Sequence, residues 1–306
     1  GGGRGAAPRP LFPAAGPAGI ARGLKRRPVR ATPAAMTRPR HRLAISALMT
    51  ALLLPFCLAG SLPAHPETEG YLELRQRFLP GIKGEDQRQI VESDAAPWRA
   101  IGRVNRRIGG YCTGTLIAPA RVLTAAHCLW NRRTRRWLGP EALHFVGGYS
   151  RGAWIADAGV RAIRLAPGIA AGPGASGRFP PAADWAVLSL SQPLDMLGQI
   201  PLAGGTPAAD ADGRGGPGPE NLIQVGYSQD KPHVLTAHHG CHALGPVRPG
   251  GTLVHDCDAT HGDSGSPILV LTAGGPRLFA MHVATGKGSA GAVGIAVPAA
   301  SIDPGR

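Results

Sequence analysis

The chain has 306 residues, 43% of them hydrophobic, with 45 Gly and 30 Pro; this suits one large β domain or two packed barrels with many turns, and argues against a helical bundle. A formal charge of +14 invites a nucleic-acid reading. Residues 1–64, however, hold 10 Lys and Arg and no acid, leaving 23 basic against 19 acidic residues elsewhere, and the basic residues do not recur with aromatics as a stacking platform requires, so no nucleic-acid partner is expected.

Residues 1–35 are mostly Gly, Ala, Pro and Arg with almost nothing to bury, and read as a non-native or disordered upstream segment, with Met36 the expected start. Arg38, Arg40 and Arg42 then lead into an apolar run from Leu43 to Gly60, broken by Pro55, and small residues Ala59, Gly60, Ser61 and Ala64 follow. Basic start, apolar middle and small-residue exit form the pattern of a signal peptide over 36–64. The run is also near the length of a membrane anchor, but Pro55 and the small-residue exit favour cleavage. Residues 65–89 are polar and charged, an N-terminal extension or propeptide. Cys57 would leave with the leader. The remaining Cys112, Cys128, Cys241 and Cys257 suggest two disulfides in an exported chain, with three connectivities open. Spacing favours Cys112–Cys128 and Cys241–Cys257, each closing a loop of about 15 residues for roughly 3 kcal/mol.

From about residue 98 to 300 the chain reads as short apolar strands separated by Gly, Pro, Asn and Asp. They include Ala100–Val104, Thr115–Ile117, Val122–Thr124, Ala142–Val146, Trp185–Leu190, Leu222–Tyr227, Ile268–Leu271 and Leu278–Val283. No long stretch keeps a helical period, so an all-β sandwich or barrel architecture is expected. Ala166–Ala183 and Ala203–Glu220 are Gly/Pro/Ala-rich and read as surface loops, the second as a junction between halves.

Three segments carry chemistry: Leu123-Thr-Ala-Ala-His127-Cys128, Ala183-Asp184-Trp-Ala-Val-Leu-Ser-Leu190 and Gly262-Asp263-Ser264-Gly265-Ser266-Pro267. A serine hydroxyl is a weak nucleophile until an imidazole within hydrogen-bond reach takes its proton. A carboxylate fixes the imidazole tautomer and stabilises the imidazolium. Backbone N–H groups in a tight Gly-containing turn can receive the developing oxyanion. Singly, each segment is weak: a lone His is usually structural and a lone Asp before a strand is usually a turn residue. Together, in this order and with a cysteine beside the His, they point to one hydrolytic site.

Thr124-Ala-Ala-His-Cys128 and Gly262-Asp-Ser-Gly-Ser-Pro267 resemble the histidine and serine signatures of chymotrypsin-like serine proteases, and Asp184-Trp-Ala-Val-Leu resembles the segment that carries their acid. The resemblance runs from near Arg88 to the C-terminus. It implies two six-stranded antiparallel β-barrels, over 90–205 and 206–306, with the active site in the cleft between them. It also implies a catalytic triad of His127, Asp184 and Ser264, an oxyanion hole from the N–H groups of Gly262 and Ser264, and a disulfide from Cys112 to Cys128 beside the histidine. Ser266 after Gly265, with Asp86-Gln-Arg-Gln-Ile90 and Ala96-Pro97-Trp98, is more similar to bacterial glutamyl-endopeptidase relatives.

The substrate pocket stays open between alternatives. Asp258 falls six residues before Ser264, the trypsin-like position for a basic side chain. His282 falls 18 residues after it, where glutamate-specific relatives place a histidine, and Ala259 or Thr260 falls where they use a hydroxyl. Ile90-Val91 with Asp263 could mimic trypsin-type activation, although Gln89 precedes and no Gly-Gly follows. His233, His238, His239, Cys241 and His242, near His255 and His261, could hold a metal, but a disulfide at Cys241 would remove the best ligand. The expectation is therefore a secreted or periplasmic serine endopeptidase, monomeric, with polypeptide substrates, without metal or cofactor and free of the membrane after signal cleavage. The rival readings are a binding protein on an inactive protease fold and a metal-dependent hydrolase.

Overall fold

The computed structural model describes residues 79–204, 221–245, 251–289 and 291–305. The upstream segment 1–35, the signal segment 36–64, most of 65–89 and the expected 205/206 boundary lie outside the described residues. In chain order the strands are β1 (Gln89–Val91), β2 (Ile101–Arg106), β3 (Tyr111–Ala118), β4 (Arg121–Thr124), β5 (Trp130–Asn131), β6 (Arg136–Trp137), β7 (Leu143–Gly147), β8 (Ala156–Leu165), β9 (Ala186–Leu190), β10 (Leu222–Gly226), β11 (Leu235–Cys241), β12 (Leu253–His255), β13 (Pro267–Thr272), β14 (Gly275–Gly288) and β15 (Gly291–Pro298). The helical elements among the described residues are 3₁₀ turns of three or four residues, and none is long and apolar enough to cross a membrane.

The first half is a closed antiparallel barrel in the order β2-β3-β4-β9-β8-β7. Ile101, Leu116, Leu123, Phe145, Leu188 and Leu190 are buried. β3 is buried on both faces through Ile117, because one side meets the barrel interior and the other the second half. The second half is a seven-stranded sheet, β1-β11-β10-β13-β14-β15-β12. A bridge between Ala243, just after β11, and His255 of β12 closes the six strands β10–β15 upon themselves.

β1 differs from the sequence division. Its residues fall at the edge of the first barrel in sequence, yet Ile90 pairs with Thr236 of β11 in the second sheet. The two halves share one apolar cluster that includes Leu116 and Leu188 from the first and Leu235 and Met281 from the second. Polar clasps cross the same joint. The Tyr111 hydroxyl donates to Ser228 O at 3.0 Å and the Tyr227 hydroxyl to Tyr149 O at 2.8 Å. The Arg103 guanidinium lies 3.8 Å from the Tyr111 ring centroid and 4.7 Å from that of Tyr149. The cysteines pair as Cys112–Cys128 and Cys241–Cys257.

Candidate active site

His127 lies in the 3₁₀ turn Ala126–Leu129 that follows β4, and the Cys112–Cys128 bridge ties that turn to β3. Asp184 sits between the 3₁₀ turn Pro181–Ala183 and β9. Ser264 occupies the turn before β13. These three side chains, 57 and 137 residues apart pairwise from His127, meet across the joint of the two halves. His127 Nδ1 is 2.7 Å from Asp184 Oδ2, and the His127 backbone N–H donates to Asp184 Oδ1 at 2.8 Å. His127 Nε2 is 2.9 Å from Ser264 Oγ. A carboxylate oxygen accepts, so Nδ1 is the donor and Nε2 faces the hydroxyl as acceptor.

The nucleophile turn needs its glycines. Gly262 has φ +95°, and a Cβ there would lie 2.5 Å from Tyr227 O; Gly265 has φ +87°, and a Cβ there would lie 2.2 Å from Thr113 O. Both conformations are strained for residues with a side chain. The Asp263 carboxylate, buried beneath the turn, accepts from the Ser228 hydroxyl and the Thr260 N–H, both at 2.7 Å. Burial pushes its pKa up to about 6, against the opposing pull of these donors and of Arg88. Among the described residues, the N–H groups of Gly262 and Ser264 donate no hydrogen bond within the protein. Ile90-Val91 does not reach Asp263: Ile90 lies in β1 and is 60% exposed.

The pocket candidates separate. Asp258 is buried away from the cleft lining. Its carboxylate accepts the backbone N–H of Lys83 at 2.8 Å and of Gln87 at 3.0 Å, and its own N–H donates to His238 Nδ1 at 2.9 Å. It therefore anchors the N-terminal segment. Thr260 and His282 both line the cleft. The Thr260 hydroxyl donates to Asp230 at 3.0 Å. His282, on β14, is buried, with Nδ1 3.1 Å from His255 Nε2. Burial, reinforced by Lys83 and His127, lowers the His282 pKa to about 3, and burial with the neighbouring His282 holds His255 well below the usual imidazole range. Both rings are therefore neutral. His255 Nδ1 is buried without a partner among the described residues. A bare acceptor costs less than a bare N–H, so His255 carries its proton on Nε2 and donates it to His282 Nδ1. His282 is left with an Nε2–H donor.

The other histidines diverge. His238 serves Asp258, His242 pairs with Asp256 at 3.1 Å, His239 stacks edge-on to Trp98, and His233 meets the Tyr149 hydroxyl. Cys241 is bonded to Cys257. The dense histidine run in sequence thus becomes a strand whose side chains turn to separate partners.

Two antiparallel halves with a Ser–His–Asp line across their joint define the chymotrypsin-like class of serine-protease fold. A family model described as "Trypsin-like peptidase domain" matches residues 112–275, more than half of the sequence. The chain belongs to that family. It is 34% identical over 58 residues to a glutamyl endopeptidase of Bacillus licheniformis, a match covering 19% of this chain and only 18% of that protein. A solved structure of a Glu endopeptidase in complex with MPD superposes with a TM-score of 0.57 at 21% identity, covering 71% of this chain and 93% of the other.

Sequence reasoning missed Thr113. Its N–H donates to Ser264 O at 3.0 Å, and its hydroxyl donates to Gly262 O at 3.0 Å while accepting from Tyr227 N–H at 2.9 Å. It also missed Lys83, and it met His255 only beside the histidine run, not as the partner of His282. No local motif marks any of them; their partners lie far along the chain.

Proposed function

We propose that this chain is an exported serine endopeptidase that cleaves through an acyl-enzyme and accepts an acidic side chain beside His282. The observation that carries this reading is the unbroken line Asp184–His127–Ser264, with contacts of 2.7 and 2.9 Å. Ser264 Oγ attacks the scissile carbonyl as its proton passes to His127 Nε2; Asp184 holds the ring through Nδ1–H. The oxyanion forms against the N–H groups of Gly262 and Ser264, which no other acceptor occupies among the described residues. His127 then gives its proton to the leaving amine. A water, deprotonated by the same ring, releases the acyl group.

The preference for an acidic residue rests on three observations. The Asp258 carboxylate is taken up by two backbone N–H groups and is not available to a basic side chain. His282 lines the cleft, and with its Nδ1 accepting from His255 it keeps Nε2–H as a donor. The relative named a glutamyl endopeptidase agrees with this direction. Export is supported by the signal-like pattern over 36–64 and by two disulfides, which persist in oxidising compartments. An inactive binding protein on this fold would have no need of all three side chains in hydrogen-bond register.

Ser264→Ala is expected to lower kcat by about a millionfold and to abolish labelling by a phosphonofluoridate probe. Full activity in that variant would refute the assignment. On a peptide library, cleavage should follow Glu or Asp over their amides; cleavage after Lys or Arg would refute the pocket reading.

A further inference from the structure

The cleft holds about 1400 Å³, and its described lining includes Lys83, Arg132, Arg178 and Lys287, with Asp184 the one carboxylate. Asp184 is engaged with His127. The Lys83 ammonium is taken up by Gly81 O and Cys257 O, whereas Arg132, Arg178 and Lys287 are balanced by no other carboxylate of that lining, and among the described residues neither Arg132 nor Arg178 forms a salt bridge.

Arg132 and Arg178 project from two segments that are fixed to each other. β5 and β6 make a short hairpin with Trp130 opposite Trp137, and both indoles pack on Phe179, with centroids at 6.1 and 5.3 Å. The Trp137 indole N–H donates to Ala170 O at 2.8 Å. Aromatic contacts of this kind hold geometry as well as area, so the backbone that carries the two arginines is braced. Arg132 lies five residues beyond His127, hence within about 18 Å of it at full extension. An extended peptide advances about 3.3 Å per residue, so substrate side chains two to four residues from the scissile bond fall within that reach.

We propose that Arg132 and Arg178 form a second acidic subsite, so that the substrate is a peptide carrying an Asp or Glu two to four residues from the bond cut, in addition to the one at that bond. Guanidinium forks match carboxylates, and a shared field between low-dielectric walls reinforces the pair. The proposal rests on the peptidase reading above.

The test is kcat/KM on peptides of fixed cleavage residue, scanning Asp against Asn at each of four positions on either side. The Asp/Asn ratio should reach about three- to tenfold at a position two to four residues away and shrink as salt is raised. In the double variant R132A/R178A that ratio should fall to near one. In R133A/R135A, whose arginines are exposed on the same hairpin outside the cleft lining, it should persist. A ratio near one at every position in the wild type, or one that survives R132A/R178A, would overturn the subsite while leaving the peptidase reading intact. Cleavage of no peptide at all would refute both.

Discussion

Thr113 supports Ser264 through a hydroxyl that satisfies Gly262 O and Tyr227 N at once. Replacing it with Val keeps the shape and removes both bonds, leaving a buried carbonyl and a buried N–H to bear their desolvation. The cost is about 1–3 kcal/mol in stability. The nucleophile turn also loses its side-chain tie to β3, keeping only the Thr113 N–H to Ser264 O bond, so kcat should fall by roughly tenfold or more with little change in KM. Thr113→Ser should recover most of that loss. A Val variant with wild-type kcat would show that the turn holds itself. The contrast with the triad explains what was legible. His127, Asp184 and Ser264 each stand in a short segment whose neighbours advertise the chemistry, such as Ala125-Ala126 before the histidine and glycines around the serine. Thr113 is an ordinary strand threonine until the second half is folded against it. Asp258 contrasts in the opposite way: its spacing suggested a pocket carboxylate for a basic side chain, but two N–H groups from a distant segment claim it.

Strands with strong apolar runs, β3, β4, β9, β10 and the first half of β13, were readable because burial on both faces requires such runs. β8, β11 and β15 were not. β8 buries little beyond Ala158 and Val160 and shows Arg161 to solvent; β11 coincides with the histidine run weighed as a metal site; β15 is rich in Gly and Ala. The N-terminal segment was the least legible element, since its order comes from electrostatics. Arg88, with its side chain 2% exposed, bonds Asp86 at 2.9 Å and Asp230 at 2.7 Å, and Asp230 in turn accepts from Thr260 on the cleft. Arg88→Ala strips a buried fork from two carboxylates and should cost about 3 kcal/mol. A shifted denaturant midpoint and faster limited proteolysis within 79–91 would register it. An unchanged midpoint would mean that the ion pairs contribute nothing net.

For the molecule as a whole, one apolar cluster spans both halves, and the buried pair His255–His282 sits within the second. A histidine whose folded pKa is lowered binds its proton more weakly folded than unfolded. Its contribution is complete above the ordinary imidazole value of 6.5 and is lost as pH falls toward the folded value of about 3 for His282. Asp263 opposes this: raised from 3.8 to about 6, it favours folding when protonated, so its contribution declines as pH rises through that window. His238 is lowered in the same direction as His255 and His282, and Asp86 and Asp230, against their partial burial, are held below the usual carboxylate range by Arg88, so stability should drop on acidification from pH 6.5. Comparing the wild type with His282→Phe isolates one of the histidines: the difference in unfolding free energy should change by roughly 1.4 kcal/mol per pH unit between about 4 and 6. A flat difference would mean that His282 titrates normally. Finally, five consecutive residues, Pro80 to Gly84, form part of the cleft wall. Any maturation cut thus has a fixed limit: trimming that crosses Pro80 would take away part of the wall shared with His127 and Ser264, leaving those side chains in place beside an open face.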